Sequence, residues 1–204
     1  MKLNFKRIHL FYGWWIVAAS FVIAVFNGGI GYGFTAFIEP IAAEFGWSYA
    51  HISLGASLRG LEMGLLAPLG GFLVDRLGPK RVTITGAVSI SLGLFMLGQT
   101  NSLMLYYLSF VAIAAGLGFT TQAVILPAVS NWFRKRVGLA SGIAISGFGF
   151  GGLLIPVIVK LIDLYGWRLA LSILALGELL IVAPLALLLR HKPEQFGYLP
   201  DGDS

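Results

Sequence analysis

A few polar side chains in strongly apolar surroundings carry what chemistry this sequence can do. Arg59 and Glu62 stand three apart in the run Arg59-Gly-Leu-Glu62-Met-Gly-Leu-Leu. On a helix that spacing places both on one face, where they can neutralise each other. Left unpaired in hydrocarbon, each would cost roughly 2.5–3.5 kcal/mol, so both must face protein or a wet cavity. They serve either as a structural pair or to attract and gate an anion. Glu178, a lone carboxylate among leucines, is a possible proton site or a structural hydrogen-bonding group. A second, uncharged set comprises Asn27, Gly28, Gly29, Gly31, Tyr32 and Gly33, with Gly116, Gly118, Thr120, Thr121 and Gln122 further on. Asn27, Tyr32 and Gln122 can hydrogen-bond a carboxylate, and the glycines can let helices bend. Packing through small residues is the alternative role for the same glycines.

Several chemistries are missing. With no cysteine there is no disulfide, thiolate metal site or thiol nucleophile. His9, His51 and His191 all fall near predicted helix ends or loops, and no Gly-x-Ser-x-Gly and no metal-ligand cluster occurs. No catalytic residue, metal or cofactor is therefore expected. Paired Asn-Pro-Ala, an arginine ladder and a thrice-repeated Pro-x-acid-x-x-base are absent too, which disfavours a water channel, a voltage sensor and a mitochondrial carrier.

The elements that must hold these residues follow from composition. Of 204 residues, 57% are hydrophobic and only 11% charged, with mean hydropathy +0.86. Soluble domains carry about 25% charged residues, so water cannot be the main solvent. The apolar residues form six blocks, each of the roughly 20 residues that cross about 30 Å of hydrocarbon as a helix. Helices are expected at about Trp14–Ile38, Ile52–Val74, Val82–Gln99, Leu103–Ala128, Gly138–Val159 and Trp167–Leu189. The first block is too long for a signal-peptide core and should remain as an anchor.

The net charge of +5 and pI near 9.6 come from cations clustered between the blocks, which argues against nucleic acid as a partner. One set of loops holds Lys2, Lys6, Arg7, Arg76, Lys80, Arg81, Arg134, Lys135, Arg136, Arg190 and Lys192; the other holds only Lys160 and Arg168. The positive-inside rule then puts both termini in the cytoplasm of a cell-membrane protein. All five tryptophans, Trp14, Trp15, Trp47, Trp132 and Trp167, fall at predicted helix ends, at headgroup level. The expected organisation is a cytoplasmic segment 1–13, a six-helix bundle 14–189 and a cytoplasmic tail 190–204, polar and too short to pack a core.

The sequence also repeats itself. At an offset of 87, Gly29, Gly31, Pro40, Gly55, Gly60 and Gly64 meet Gly116, Gly118, Pro127, Gly142, Gly147 and Gly151. At an offset of 88, Pro68, Asp75, Gly78 and Lys80 meet Pro156, Asp163, Gly166 and Arg168. Three helices per copy, about 14–99 and 103–189, is an odd number, so the second copy must be inverted in the membrane.

The loop Gly71-Phe-Leu-Val-Asp75-Arg76-Leu-Gly78-Pro79-Lys80-Arg81 resembles the loop signature of the major facilitator superfamily. Asp75 can accept from a neighbouring helix N-terminus, and the cations can hold the loop at an anionic leaflet. Asn131-Trp-Phe-Arg-Lys-Arg136, with Gly138-Leu-Ala and Gly142-Ile-Ala, resembles the monocarboxylate porter and oxalate/formate antiporter branch. Tyr12-Gly-Trp-Trp15, Glu44-Phe-Gly-Trp-Ser48 and Tyr165-Gly-Trp-Arg168 agree with it. This resemblance implies an all-α membrane fold equivalent to the amino-terminal half of a twelve-helix transporter, moving small organic anions by alternating access. It implies further that the cavity lies along the first and fourth helices and that the tail begins the linker to a second half. The arginine that proton-coupled drug exporters carry in the fourth helix and the lysine of animal monocarboxylate carriers in the first are absent here, which leaves proton coupling open.

The expected partners are the lipid bilayer, a small organic anion, and a second six-helix half or another copy of the chain, against which the glycine-rich fifth helix would pack. A nontransporting assembly protein that docks through the same exposed helix faces is the alternative. The inverted repeat places Thr100 and Asp163 on the same side of the bilayer. Cysteines introduced at those positions should react with an impermeant maleimide from one face only; labelling from opposite faces would break the repeat.

Overall fold

The computed structural model describes residues 11–202, the side chains at positions 56, 58, 59, 61, 62, 63 and 67 excepted. Among the described residues the regular structure is all helical. The elements are α1 (Tyr12–Gly33), α2 (Thr35–Phe45), α3 (Tyr49–Leu77), α4 (Pro79–Gly98), α5 (Leu103–Gly118), α6 (Gln122–Ser130), α7 (Val137–Phe150), α8 (Ile155–Gly177) and α9 (Ala183–Ala186). A tight helical turn, Gly151–Leu154, joins α7 to α8, and a π-helical turn, Glu178–Val182, joins α8 to α9.

These bounds follow local chemistry. Ser48 and Ser102 cap α3 and α5, their hydroxyls accepting from the His51 and Leu105 amides. Pro79 opens α4, where its missing N–H leaves no further donor unsatisfied. The first predicted helix divides at Phe34, and α2 runs past the expected end at Ile38 to Phe45. The fourth is interrupted between Gly118 and Gln122. Among the described residues, four segments are long and apolar enough to cross a membrane: Tyr12–Gly33, Pro79–Gly98, Leu103–Ser130 and Val137–Ala186. The last, at 50 residues, turns at Gly166, where φ is 77° and ψ 158°.

That turn bears on the internal repeat. Gly78, its partner at an offset of 88, has φ 81° and ψ 158°, a conformation that any Cβ would strain. The break at Phe34 and the break ending at Thr121 are likewise 87 positions apart, each followed by a helix with an internal proline, Pro40 and Pro127.

The core has two main regions. One gathers Phe34, Phe37, Ile41, Leu94, Tyr106, Phe110 and Trp167; the other gathers Ile16, Ile23, Trp132, Phe133, Ala140, Ala144 and Val182. Outward faces are apolar instead of charged, with Leu65, Met104, Leu153 and Leu180 at least two-thirds exposed. For a protein in water such a surface would be a liability; against lipid tails it is the expected one.

Each end of the bundle is held by polar contacts. At one, Trp167 Nε1 donates to Glu44 Oε2 at 2.7 Å and Arg168 Nη2 to Glu44 Oε1 at 2.7 Å, while Arg168 Nη1 reaches the Gly98 carbonyl at 2.9 Å. The hydrogen bond from Arg168 holds the Glu44 carboxyl below the ordinary carboxylate range. This contribution is complete at neutral pH and is lost as pH falls through the folded value. Opposite lie the α3–α4 loop, Asn131–Arg136 and the tail from Arg190, where the lysines and arginines are dense.

The expectation that the glycines of the fifth helix would face a missing bundle is only partly met. Gly147 meets the Phe21 carbonyl and Gly151 the backbone of Gly28 and Gly29, so this face of α7 and the following turn packs on α1. Gly142, Gly149 and Gly152 face open space. Gly151→Ala should therefore lower stability by about 1–3 kcal/mol, as overpacking against backbone does. Gly152→Ala, one residue on, should stay within about 0.5 kcal/mol of wild type. Thermal unfolding in detergent measures both; equal melting points would refute the close approach.

Candidate functional site

Helical backbone inside hydrocarbon cannot be interrupted unless the freed groups find partners. The break between α5 and α6 exposes the Thr120 carbonyl, and Asn27 Nδ2, from the middle of α1, donates to it at 3.2 Å. Thr120 and Thr121 turn their hydroxyls back to the Gly116 and Gly118 carbonyls at 3.2 and 3.3 Å. Asn27 is 3% exposed, and its Oδ1 has no hydrogen-bond partner among the described residues. A pocket of about 160 Å³ opens there, lined by Asn27, Gly28, Gly31, Tyr32, Thr120 and Thr121, with Leu117 and Phe148.

A wider pocket of about 520 Å³ adjoins it, sharing Tyr32, Thr121 and Phe148 and adding Gln122, Gly60 and Gly64. The three expected hydrogen-bonding residues, Asn27, Tyr32 and Gln122, thus line one continuous region at the α1 and α5–α6 interruptions. Tyr32 and Gln122 offer exposed donors, suited to carboxylate oxygens, while Asn27 Oδ1 offers an acceptor suited to a hydroxyl. Arg59 and Glu62 lie on α3 either side of Gly60; their side chains are outside the described residues. Sequence reasoning missed Phe148, which walls both pockets; its place depends on the α1–α7 packing, which periodicity does not reveal.

Glu178 is fully buried in the π-helical turn and lines neither pocket. The structural hydrogen bond expected for it is not made among the described residues: both carboxyl oxygens lack a partner. The turn packs on α1 and α4, which hold two more unpartnered buried hydroxyls, Ser20 and Thr83.

In the loop motif, Gly71 and Arg76 end α3, Gly78 makes the turn, and Lys80 and Arg81 begin α4. Arg76 lays its guanidinium 4.5 Å over the Phe72 ring. Asp75 accepts from no helix N-terminus among the described residues and forms no ion pair there. The tail, expected to be a loop or linker too short to pack a core, is clasped to Asn131–Lys135. Asp201 Oδ2 accepts from the Arg134 and Lys135 amides at 3.0 and 2.9 Å, and the Asp201 amide donates to the Trp132 carbonyl at 2.9 Å. Trp132 Nε1 and Asn131 Nδ2 donate to the Arg190 and His191 carbonyls at 3.1 and 3.0 Å. Tyr198 stacks on Tyr12 and leans on Trp132, while Arg190 lies over Tyr12 and Phe196.

An all-helical membrane bundle with interrupted helices converging on a half-open, mostly apolar pocket that carries a few polar groups is the architecture of a secondary transporter. The chain belongs to the Major Facilitator Superfamily, whose family model matches residues 14–200. It is 31% identical over 179 residues to monocarboxylate transporter 13 of Rattus norvegicus, covering 87% of this chain and 42% of that protein. Monocarboxylate transporter 12-B of Danio rerio is 34% identical over 167 residues, covering 80% of this chain and 34% of its own length. The oxalate:formate antiporter of Oxalobacter formigenes is 24% identical over 183 residues, covering 89% and 44%. The chain therefore spans less than half the length of these relatives, and it is a multi-pass membrane protein of this transporter family.

The clasp has a pH signature. Backbone hydrogen bonds, that from the Lys135 amide foremost, hold the Asp201 carboxyl below its ordinary range. The tail should stay docked down to about pH 4 and release only below it, as the carboxylate protonates. Asp201→Asn should loosen it at every pH. Limited proteolysis between Arg190 and Gly202 reads this; equal cleavage of wild type and variant at pH 7 would rule the clasp out.

Proposed function

We propose that the chain is the amino-terminal half of a transporter for small organic anions, monocarboxylate- or dicarboxylate-like, which works by alternating access with a second six-helix half. The observation that carries this reading is the convergence of Asn27, Tyr32 and Gln122 on adjoining pockets that open beside Gly60 and Gly64. The donors of Tyr32 and Gln122 suit a carboxylate, and the relatives, monocarboxylate transporters and an oxalate:formate antiporter, point to the same substrate class. Arg59 supplies anion attraction and Glu62 its counter-charge or gate, on the helix that contributes those two glycines. The open glycine face of α7 and exposed Tyr32 suit a second half. Glu178 lies off the pocket, so any proton it carries is handled apart from the substrate.

In this reading the chain crosses the cell membrane six times as two inverted triplets, about 14–99 and 103–189, with residues 1–13 and 190–204 in the cytoplasm. The shared backbone conformation of Gly78 and Gly166 supports the repeat. The density of cations at the clasped end supports its cytoplasmic placement. The loop from Gly71 to Arg81 then sits at the inner leaflet and gates access there.

The test is co-reconstitution in liposomes with the second six-helix half of a carboxylate transporter, following uptake of radiolabelled lactate, formate and oxalate. Flux should need both halves. Tyr32→Phe and Gln122→Leu should each raise KM about ten-fold or more, the loss of one hydrogen bond to a charged group. Flux indifferent to both substitutions would place the substrate elsewhere and end this assignment.

A further inference from the structure

At the clasped end, the α3–α4 loop and the tail enclose a polar pocket of about 320 Å³. Asp75, Arg76 and Gly78 form one wall and His191, Lys192 and Gln195 the other. It is a built site because both walls are fixed from behind. Asn131 and Trp132 hold the carbonyls of His191 and Arg190, which sets the direction of the tail at Lys192. Gly78, at φ 81°, lies beside the His191 ring, where a Cβ would make ordinary contact 3.7 Å from Nδ1. On the loop side, Arg76 rests on the Phe72 ring, which orients the guanidinium while leaving its N–H edges available.

The groups facing the pocket are unspent. Neither Asp75, Arg76 nor Lys192 forms an ion pair among the described residues, and His191 Nδ1 is buried with no hydrogen-bond partner. Lys192 also borders a second polar pocket of about 420 Å³ with Arg134, so positive charge continues beyond the first. Two cations, Arg76 oriented by the Phe72 ring and Lys192 on the tail, with the Gln195 amide beside them, attract a compact anion. The single carboxylate decides which. A carboxylate or sulfate guest has only acceptors and would meet Asp75 oxygen to oxygen. A phosphate near neutral pH still carries a proton, and its P–OH can donate to Asp75 while its other oxygens accept from Arg76 and Lys192.

We propose that this pocket binds a hydrogen-phosphate group, with Arg76 and Lys192 taking its charge and Asp75 accepting from its P–OH. Such a group reaches the site as the headgroup of phosphatidic acid in the inner leaflet or as soluble phosphate. The inference does not rest on the transport reading: it uses only the loop and the tail.

The experiment uses the full chain in nanodiscs of phosphatidylcholine, titrated with inorganic phosphate and with sulfate, with binding read by calorimetry. Phosphate should bind at least about ten-fold more tightly than sulfate, and Asp75→Asn should remove that preference. Arg76→Gln and Lys192→Gln, both at exposed positions, should each weaken phosphate about ten-fold with the melting temperature unchanged. Nanodiscs doped with phosphatidic acid separate the sources: loss of phosphate binding there identifies the lipid headgroup, and unchanged binding identifies the soluble anion. Equal affinity for phosphate and sulfate, unaltered by Arg76→Gln and Lys192→Gln, would overturn the site, as would the absence of saturable binding in undoped nanodiscs.

Discussion

Backbone polarity in a solvent that offers no hydrogen bonds is the constraint from which the rest of this structure follows. Each helix interruption must be satisfied from within the protein, and this chain places one where α1 can repair it. Asn27 spends its amide N–H on the Thr120 carbonyl, and the two threonines spend their hydroxyls one turn back. What remains is Asn27 Oδ1, with the exposed ends of Tyr32 and Gln122 nearby. The pocket is the residue of that repair, and its position is set by where the α5–α6 break falls.

Close approach of α1 to α7 sets the other wall. Gly28 lies against the Phe148 carbonyl, Gly147 against that of Phe21, and Gly151 against the backbone of Gly28 and Gly29. In hydrocarbon, helices gain little from burying apolar surface, so intimate packing through small residues supplies much of the adhesion. The same contact fixes Phe148, which borders both pockets. Packing and site are therefore one arrangement on this side: a side chain added at Gly28 would move the helix that carries the pocket wall.

Much of this was readable from residue types and spacing. The positional matches anticipated Gly78 and Gly166, which share a left-handed turn, and Pro40 and Pro127, which follow equivalent breaks. Asn27, Tyr32 and Gln122 were recognisable as polar residues stranded in apolar runs. The break itself was not, because glycines and threonines in Leu103–Ala128 are equally compatible with an unbroken helix, and the interruption is stabilised by a residue 93 positions away. The docking of the tail was not legible for a similar reason: Asp201 finds its amides 66 and 67 positions back, and nothing local announces them. Glycines on α7 showed that something approaches closely, but could not say that one face meets α1 while another stays open.

The two ends of the bundle are closed by different physics. Glu44 and Arg168 are 43% and 38% exposed, so their attraction is weakened by water and salt and contributes little as a single pair. The clasp at the opposite end relies on backbone amides and carbonyls, an indole N–H and stacked rings around Trp132. Apart from the Asp201 carboxylate, these groups are neutral, and ionic strength barely reaches them. One end of the bundle is thus held by a contact that yields to salt and acid, and the other by one built mainly on neutral groups. Salt alone should therefore loosen the Glu44 end first, while the tail stays clasped to Asn131–Lys135.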